Sequence, residues 1–385
     1  MKLLQENLDH LAPEALRCAR ALADWIVANQ TPDRNADPDS GNFPFSVSAA
    51  GVPRGANNWN HAFAIMGLLA AADAFQEEKY RVAAIRMGRY LKQLQIFDPF
   101  HARHYGAFRE MTPQTPWCYV RDALSAAWAM LELYRVTGEA EYLERARLWD
   151  AWFRREGLGE RGWPLWGVQF DEFFPEDVMA LRNEMLGCFH GGGLNFFYQM
   201  YRTTGNRSYI EGVYEHMADF FVSTIQQPDG LFRTVCADTC AVPENDPQNG
   251  LHRANDDLGT LGLLGAWRIY GKQSYLDGIQ KFLECVFTHQ QPDGSFEKSC
   301  AATPVVLNIL LETRNIVPVS TIRPGAIEAA LQSLFARQFN CPENPLKHGS
   351  FDEMADGACC ARSNCYALIV LLKLFAGDNL YLSAR

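Results

Sequence analysis

Consecutive acids and clustered cysteines are the residues of this sequence best suited to chemistry. Asp256 and Asp257 are adjacent, and neighbouring carboxyl groups raise one another's pKa, which suits one of them to donate a proton. The segment 359–365, CCARSNC, holds three thiols, and thiols serve as nucleophiles or as zinc ligands. The fold must bring these groups to one place before they can act together.

A repeated motif indicates which fold does so. A glycine followed closely by an aromatic residue recurs at intervals of 55 to 68 residues, and QQPDG-x-F appears twice, at 226–232 and 290–296. Between the repeats, a helix that is apolar on nearly every side precedes a helix with one apolar face, which predicts an inner helix followed by an outer helix. The repeated glycines are Gly41, Gly106, Gly162, Gly230, Gly294 and Gly349.

The two ends of the sequence complete this arrangement. Residues 14–29 form an outer-type pattern with no inner helix before it, and residues 364–376 form an inner-type pattern with no outer helix after it. We therefore predict an all-α (α/α)6 toroid, a six-hairpin barrel, in which these two helices pack together and residues 1–385 form one domain. An open helical solenoid is the alternative, but its terminal repeats should have the polar outer faces of caps.

All six inner helices of a toroid begin at the same end, which we call the rim. The polar and aromatic residues at these six openings should converge there. Candidates for the proton donor are Asp256, Asp257, Glu184 and Asp122. Trp117, Trp163, Trp166 and Trp59 offer aromatic faces on which a substrate ring could stack. Candidates for hydrogen bonds to substrate are His61, Arg121, Arg182, His190, His252, Asn255 and Arg362.

Composition restricts the class of protein. The net charge of −10 argues against nucleic acid or an anionic membrane as a partner. The N-terminal residues lack the apolar core of a signal peptide, and no run of 18 apolar residues occurs. The eleven cysteines show no disulfide framework. We therefore expect a cytoplasmic protein with reduced thiols.

Four motifs, taken in order, resemble those of the β-L-arabinofuranosidases of glycoside hydrolase family 127. HGGGLNFFYQM resembles that family's GGMNE-type helix, and LHRANDDLGT its HANT-type helix. SCAAT resembles the segment around a zinc-ligating cysteine, and CCARSN the final Cys-Cys segment. The likeness covers roughly residues 115–375.

The resemblance implies a retaining glycosidase that acts on a small carbohydrate substrate, with a cysteine nucleophile and a zinc ion. In this sequence Cys359 would be the nucleophile, and Cys300, Cys359, Cys360 and Glu297 would hold the zinc. The sequence departs from the family's pattern in three places: Lys298 stands where the glutamate ligand is expected, Phe196 replaces the glutamate of GGMNE, and CCARSN replaces the family's CCPPN.

Other classes of enzyme also use α-helical toroids. A polysaccharide lyase would use rim residues such as Tyr119, Arg182, Asn183 and His190. A terpene cyclase would share the glutamine-rich repeats, but its D-x-D-D motif is absent, because Ala254 stands where the first aspartate is required. A binding toroid without catalysis is a further alternative, which the many titratable groups at the rim disfavour.

Overall fold

The structure is a computed structural model that describes residues 2–3, 6–34, 37–170, 184–186, 188–232, 235–236, 259–377 and 379–385. Within these ranges the α-helices are α1 (Ala12–Asn29), α2 (Asn58–Phe75), α3 (Glu78–Leu94), α4 (Val120–Thr137), α5 (Ala140–Glu156), α6 (Cys188–Thr204), α7 (Val213–Phe220), α8 (Gly259–Tyr270), α9 (Gln273–Thr288), α10 (Ala302–Thr313), α11 (Ala326–Phe335) and α12 (Ala361–Phe375).

Short strands and turns complete the described chain. A π-helical turn, Phe221–Ile225, continues α7, and 3-10 turns cover Asp9–Leu11, Pro99–His104 and Arg207–Tyr209. The strands are β1 (Lys2–Leu3), β2 (Glu6–Asn7), β3 (Ser46–Val47), β4 (Pro53–Arg54), β5 (Trp117–Tyr119), β6 (Gly167–Gln169), β7 (Met185–Leu186), β8 (Val235–Cys236) and β9 (Cys359–Cys360). The pairs β1–β2, β5–β6 and β7–β8 are antiparallel, and β3 lies between β4 and β9.

The even-numbered helices form a closed inner ring. Each contacts the next even-numbered helix, and α12 returns to α2. In α2 every residue from Asn58 to Ala72 is buried, because the helix has neighbours on both flanks and an outer helix behind it. Despite this apolar character, no helix in the described ranges is long and apolar enough to cross a membrane.

The odd-numbered helices form the outer layer, and the first of them closes the ring. α1 packs against α12 and α2, burying the face that holds Cys18, Leu22 and Ile26. The predicted pairing of the N-terminal outer helix with the C-terminal inner helix is therefore confirmed, and the open solenoid is excluded. The fold is the (α/α)6 toroid expected from the sequence.

The hairpin glycines explain why their motif is repeated. In five of them φ lies between 88° and 97°, a left-handed conformation that glycine adopts without strain. A Cβ atom on any of these five would lie 2.3 to 2.6 Å from a backbone carbonyl oxygen of the next outer helix. Gly349 makes this approach to Ala21 of α1, so the same contact also closes the ring. The five are Gly41, Gly106, Gly230, Gly294 and Gly349.

A glutamine after the outer helix strengthens these contacts. Gln290 Nε2 donates to the carbonyl oxygens of Gly294, in its own hairpin, and of Ala326, in the next outer helix, both at 2.8 Å. Gln338 bridges Gly349 and Cys18 in the same way, at 2.8 and 3.1 Å. We call this glutamine, the hairpin glycine and the facing carbonyls a joint. Gln95 and Gln226 form equivalent joints, and Gln30 donates to Ala83 of α3.

The junction between α5 and α7 lacks a joint of this kind. Leu158 occupies the position of the glutamine. Its backbone pairs with Pro164 in an isolated antiparallel β-bridge, as the backbone of Gln95 pairs with Phe108. Gly162 has a φ of 81°, but a Cβ there would meet no described atom within 4 Å. This junction therefore depends on side-chain packing alone within the described residues.

Residues 379–385 cover the end of the ring at which the inner helices finish. Gln199 of α6 donates to the Ser383 carbonyl at 2.6 Å, and Arg268 of α8 donates to the Ala384 carbonyl. The buried Glu312 of α10 pairs with Lys373 of α12 at 3.1 Å and with Arg385 at 2.9 Å. Residues 379–385 thus cover the end of the ring that lies opposite the rim.

Candidate active site

Two glutamates that follow hairpin motifs lie at the rim. Glu110 and Glu353 each stand four residues after a hairpin glycine, in the pattern G-x-F-x-E. The Glu110 carbonyl accepts a hydrogen bond from Asn58 N at 2.8 Å, and the Glu353 carbonyl accepts one from Cys300 N at 2.9 Å. Each glutamate is thereby fixed beside the start of an inner helix. Both were missed in the sequence, and the G-x-F-x-E pattern is the signal that would have found them.

Glu110 forms a carboxyl pair with Asp122, which lies in the first turn of α4. The two side chains are hydrogen-bonded to each other, and Glu110 Oε2 also accepts from Tyr119 N at 2.8 Å. Burial, followed by the charge of Asp122, raises the pKa of Glu110 well above its usual range. This direction favours the protonated form of Glu110, which serves as the hydrogen-bond donor to Asp122. Asp122 Oδ1 lies 3.5 Å from Arg121 Nη1.

Aromatic and basic groups surround this pair. The Arg121 guanidinium lies 5.1 Å from the centroid of the Trp59 ring, a cation–π distance. The rings of Trp117 and Tyr119 pack edge to face on one side of β5, with their centroids 4.8 Å apart. Cys118, which lies between them in the strand, is buried. Of the predicted substrate-binding residues, Arg121 thus contacts both Trp59 and Asp122, and the Trp117 carbonyl accepts a hydrogen bond from Glu110 N at 3.0 Å.

Glu353 is the centre of a second polar group at the rim. It accepts hydrogen bonds from Ser299 Oγ at 2.7 Å and from Arg362 Nη2 at 3.1 Å. The Cys300 thiol is 3.7 Å from Glu353 Oε2. Arg362, predicted to bind substrate, lies in the first turn of α12 and is held by this carboxylate.

The cysteines predicted to bind zinc do not form a metal-binding group within the described residues. Cys359 and Cys360 are consecutive in β9, and consecutive strand residues point to opposite faces. No group of three or more His, Cys, Asp or Glu in the described chain, where Cys300, Cys359, Cys360 and Glu297 all lie, could hold a metal ion. As arranged, these four residues do not fit a zinc ion.

The same thiols are not activated nucleophiles. Burial raises the pKa of Cys359, and it raises that of Cys360 to about 12. Burial and then the Glu353 carboxylate raise the pKa of Cys300. The thiolate is the nucleophilic form, so the structure gives no support to Cys359 in that role.

Two other predicted site residues have structural roles. His61 is fully buried and stacks on Tyr90, with ring centroids 4.8 Å apart. Its Nε2 accepts from Phe43 N at 3.0 Å, its Nδ1 lies 2.6 Å from the Asn57 carbonyl, and burial lowers its pKa to about 4. Its side chain is therefore occupied away from the rim, contrary to prediction.

Glu184 also has a partner elsewhere. Its carboxylate accepts from Arg161 N at 2.8 Å and forms an ion pair with Arg161 Nε at 2.9 Å, so it is occupied by the hairpin after α5. Trp163 packs on His216 and Phe220 of α7. The roles predicted for these two residues, proton donor for Glu184 and stacking face for Trp163, stay predictions.

The remaining predicted residues lie outside the described part of the chain. His190 belongs to α6 by its backbone, but its side chain is not among the described ones. The others are Arg182, Asn183, His252, Asn255, Asp256 and Asp257.

No protein-family model matches this chain, and no curated protein matches it significantly. Solved structures match it over nearly its whole length. A cellobiose 2-epimerase from Bacillus thermoamylovorans has a TM-score of 0.74 at 13% identity, covering 94% of this chain and 99% of its own. A mannosidase of glycoside hydrolase family 76 from Bacteroides thetaiotaomicron has a TM-score of 0.63 at 15% identity, covering 94% and 99%.

A third similar structure is an inactive variant of an α-1,6-mannanase from Salegentibacter sp., in complex with α-1,6-mannotriose. Its TM-score is 0.62 at 12% identity, with 93% of this chain and 98% of that chain covered. In this variant two consecutive aspartates are replaced by asparagine. At these identities the likeness is one of fold, and it agrees with the (α/α)6 toroid.

Proposed function

We propose that this chain is a carbohydrate-active enzyme that acts on a small saccharide at the rim. The observation that carries the proposal is the Glu110–Asp122 pair, in which a buried protonated acid positions an ionised carboxylate beside Arg121 and Trp59. Sugar hydroxyls require such donors and acceptors, and a sugar ring requires an aromatic face. The similar structures of a sugar epimerase, a mannosidase and a mannanase support the same class of substrate.

Glycoside hydrolysis is the reaction we favour. It requires one carboxylic acid to protonate the leaving oxygen and one carboxylate to act as base or nucleophile. Asp122 suits the second role, because Glu110 supplies its hydrogen bond. Asp256 suits the first, with Asp257 beside it. Asp256 and Asp257 are the only consecutive aspartates in this sequence, and the inactive mannanase variant lacks such a pair.

Epimerisation of a reducing sugar is the second candidate. The likeness to cellobiose 2-epimerase, which covers 94% of this chain and 99% of that one, favours it. Inverting the carbon beside a sugar carbonyl requires a base to remove its proton and an acid to return a proton to the other face. Asp122 would be the base in this reaction as well.

The other two classes of enzyme have less support. A lyase would depend on Tyr119, which is 38% exposed, and on Arg182, Asn183 and His190, of whose side chains the structure describes none. A terpene cyclase requires a cavity walled by aromatic faces, whereas charged Arg121 and Asp122 stand between Trp59 and Tyr119 at the described rim.

Paired assays separate hydrolysis from epimerisation. The purified chain is incubated with α-1,6-mannotriose and aryl α-mannosides, followed by sugar release, and with cellobiose, followed by NMR of the reducing-end sugar. Release of mannose or of the aryl alcohol supports hydrolysis, and conversion of reducing-end glucose to mannose supports epimerisation. Turnover should fall in Asp122→Asn but persist in Asp277→Asn, a substitution on the exposed face of α9. Absence of turnover on a broad glycoside panel as well would remove the proposal.

Zinc stays a prediction from the resemblance to family 127. A zinc site would require β9 to rearrange, because Cys359 and Cys360 now occupy opposite faces of the strand. Metal analysis of protein prepared in zinc-containing medium tests this: one zinc per chain, lost in Cys300→Ser, would restore the cysteine mechanism. A chain that turns over substrate without zinc would leave the carboxylates as the catalytic groups.

A further inference from the structure

A basic cavity lies at the end of the ring opposite the rim. It has a volume of about 400 Å³, within the range of roughly 300 to 1,000 Å³ found for small-molecule sites. The ends of α6 and α8 and the 3-10 turn after α6 form its walls. Its polar lining residues are Tyr198, Tyr201, Arg202, Arg207 and Arg268.

The charges of this cavity are largely uncompensated by the protein. None of its described lining residues is acidic. Arg207 pairs with Glu211 at 2.9 Å, but both side chains are more than half exposed, and exposed pairs contribute little. Among the described residues, Arg202 contacts Tyr198, whose hydroxyl is 3.4 Å and whose ring centroid is 6.0 Å from the guanidinium, and Arg268 donates to the Ala384 carbonyl. A guanidinium has five N–H donors, so each arginine keeps several for a ligand.

Three arginines in one cavity are notable in a chain of net charge −10. Like charges held together repel one another, and an anion that binds between them relieves the repulsion. Guanidinium groups match the oxygens of phosphate in paired hydrogen bonds. The cavity exceeds the size of one phosphate ion, and the rings of Tyr198 and Tyr201 offer apolar surface for the rest of a molecule.

We propose that this cavity binds the phosphate group of a small phosphorylated molecule. The proposal does not depend on the reaction at the rim, because the cavity is built from the opposite ends of α6 and α8. The phosphate could belong to free inorganic phosphate or to a phosphorylated sugar, and the experiment distinguishes these two sources.

The experiment is isothermal titration of the full chain with inorganic phosphate, mannose 6-phosphate and mannose. Mannose 6-phosphate should bind at one saturable site and mannose should not. Arg202→Gln and Arg268→Gln should each raise the Kd at least ten-fold, because each removes a charge-assisted contact. Arg103→Gln, at an exposed position on the rim side, should leave the Kd unchanged. Circular dichroism confirms that each variant is folded.

Each outcome decides the proposal. If inorganic phosphate binds as tightly as mannose 6-phosphate, the phosphate site stands and free phosphate is its ligand. If neither probe binds at millimolar concentration, or if binding is the same in Arg202→Gln and Arg268→Gln, the proposal is rejected. Binding that never saturates and disappears in moderate salt would show only general charge attraction, which also rejects it.

Discussion

Glu110 and Asp122 are hydrogen-bonded through their side chains, and they differ in exposure: Glu110 is only 2% exposed, whereas the Asp122 side chain is 19% exposed. Burial therefore decides which of the two keeps the proton. The inner residue acts as a fixed donor, and the outer one faces the place where a substrate would lie. The chemistry of the rim and part of the stability of the fold thus depend on the same proton.

The first prediction concerns this proton. Folding raises the pKa of Glu110 above its ordinary value of 4.5, so the folded state binds more protons than the unfolded state between these two values. Stability should therefore fall as pH rises from about 4.5 through the raised pKa. Glu110→Gln, which cannot ionise, should lack this contribution. Urea unfolding of the wild type and of Glu110→Gln between pH 5 and pH 8 measures this contribution. If the free energies of unfolding of the two proteins change with pH in the same way, the prediction is wrong.

Asp122→Asn should abolish most of the activity at the rim. The amide keeps the shape of the side chain and can still meet Glu110, but it is neither a base nor a nucleophile. We expect a loss of roughly 10²-fold or more in kcat, with little change in unfolding midpoint. Steady-state kinetics on the best substrate measure the effect. Turnover that matches the wild type would exclude Asp122 from the reaction.

Asp256→Asn tests the predicted proton donor. On an aryl glycoside we expect a loss of roughly 10²-fold or more in hydrolysis. The rate of hydrolysis should fall much less for a glycoside whose leaving group departs without a proton, because the general acid is then not needed. If both substrates are unaffected, the donor is another residue, and Asp257→Asn is the next variant to measure.

Gly294→Ala should destabilise the ring more than Gly162→Ala. Both glycines have positive φ, so both substitutions incur backbone strain of about 1 kcal/mol. At Gly294 a Cβ would also lie 2.3 Å from the Ala329 carbonyl oxygen, whereas at Gly162 it would meet no described atom within 4 Å. Chemical unfolding of the two variants gives the difference. Equal losses would show that the joint does not require this close approach.

Glu312→Gln should be strongly destabilising. It removes the carboxylate beside the Lys373 ammonium, whose side chain has no exposure, and leaves neutral partners such as Asn308 and the Leu382 carbonyl. Removing one member of a buried ion pair costs about 3 to 5 kcal/mol. Glu144→Gln, in an exposed pair with Arg147, is the matched control and should have no measurable effect. A loss in Glu312→Gln as small as that of the control would contradict the prediction.

The architecture was predictable because its signals are repeated. Residues 14–29 and 364–376 were expected as α1 and α12, and the structure has them at Ala12–Asn29 and Ala361–Phe375. The spacing of the glycines, and the alternation of helices that are apolar on nearly every side with helices that have one apolar face, were sufficient to predict the toroid. The same pattern recurs in each repeat, so each repeat supports the interpretation of the others. The joint itself was not foreseen, because the carbonyl that each glycine faces lies 35 to 51 residues away in sequence or, for Gly349, near the other end of the chain.

The site was less predictable because a position at a helix opening does not determine the direction of a side chain. Trp59 and His61 are two residues apart on α2, about 200° around the helix axis, and they consequently face opposite ways. Glu110 was missed because it lies in an extended segment before the opening. Cys359 and Cys360 were predicted to bind one ion because they are adjacent in sequence, but adjacent side chains of a strand point to opposite faces.

The joint that closes the ring has a kinetic consequence. Gln338 and Cys18 are 320 residues apart in sequence, so their contact closes the longest loop of any joint and carries the greatest loss of chain entropy. The other joints connect neighbouring repeats and should form earlier. Until the last one forms, the chain is an arc whose two terminal helices expose apolar faces, and two such arcs could exchange ends. Slow refolding and domain-swapped dimers at high protein concentration are the expected signs of this intermediate.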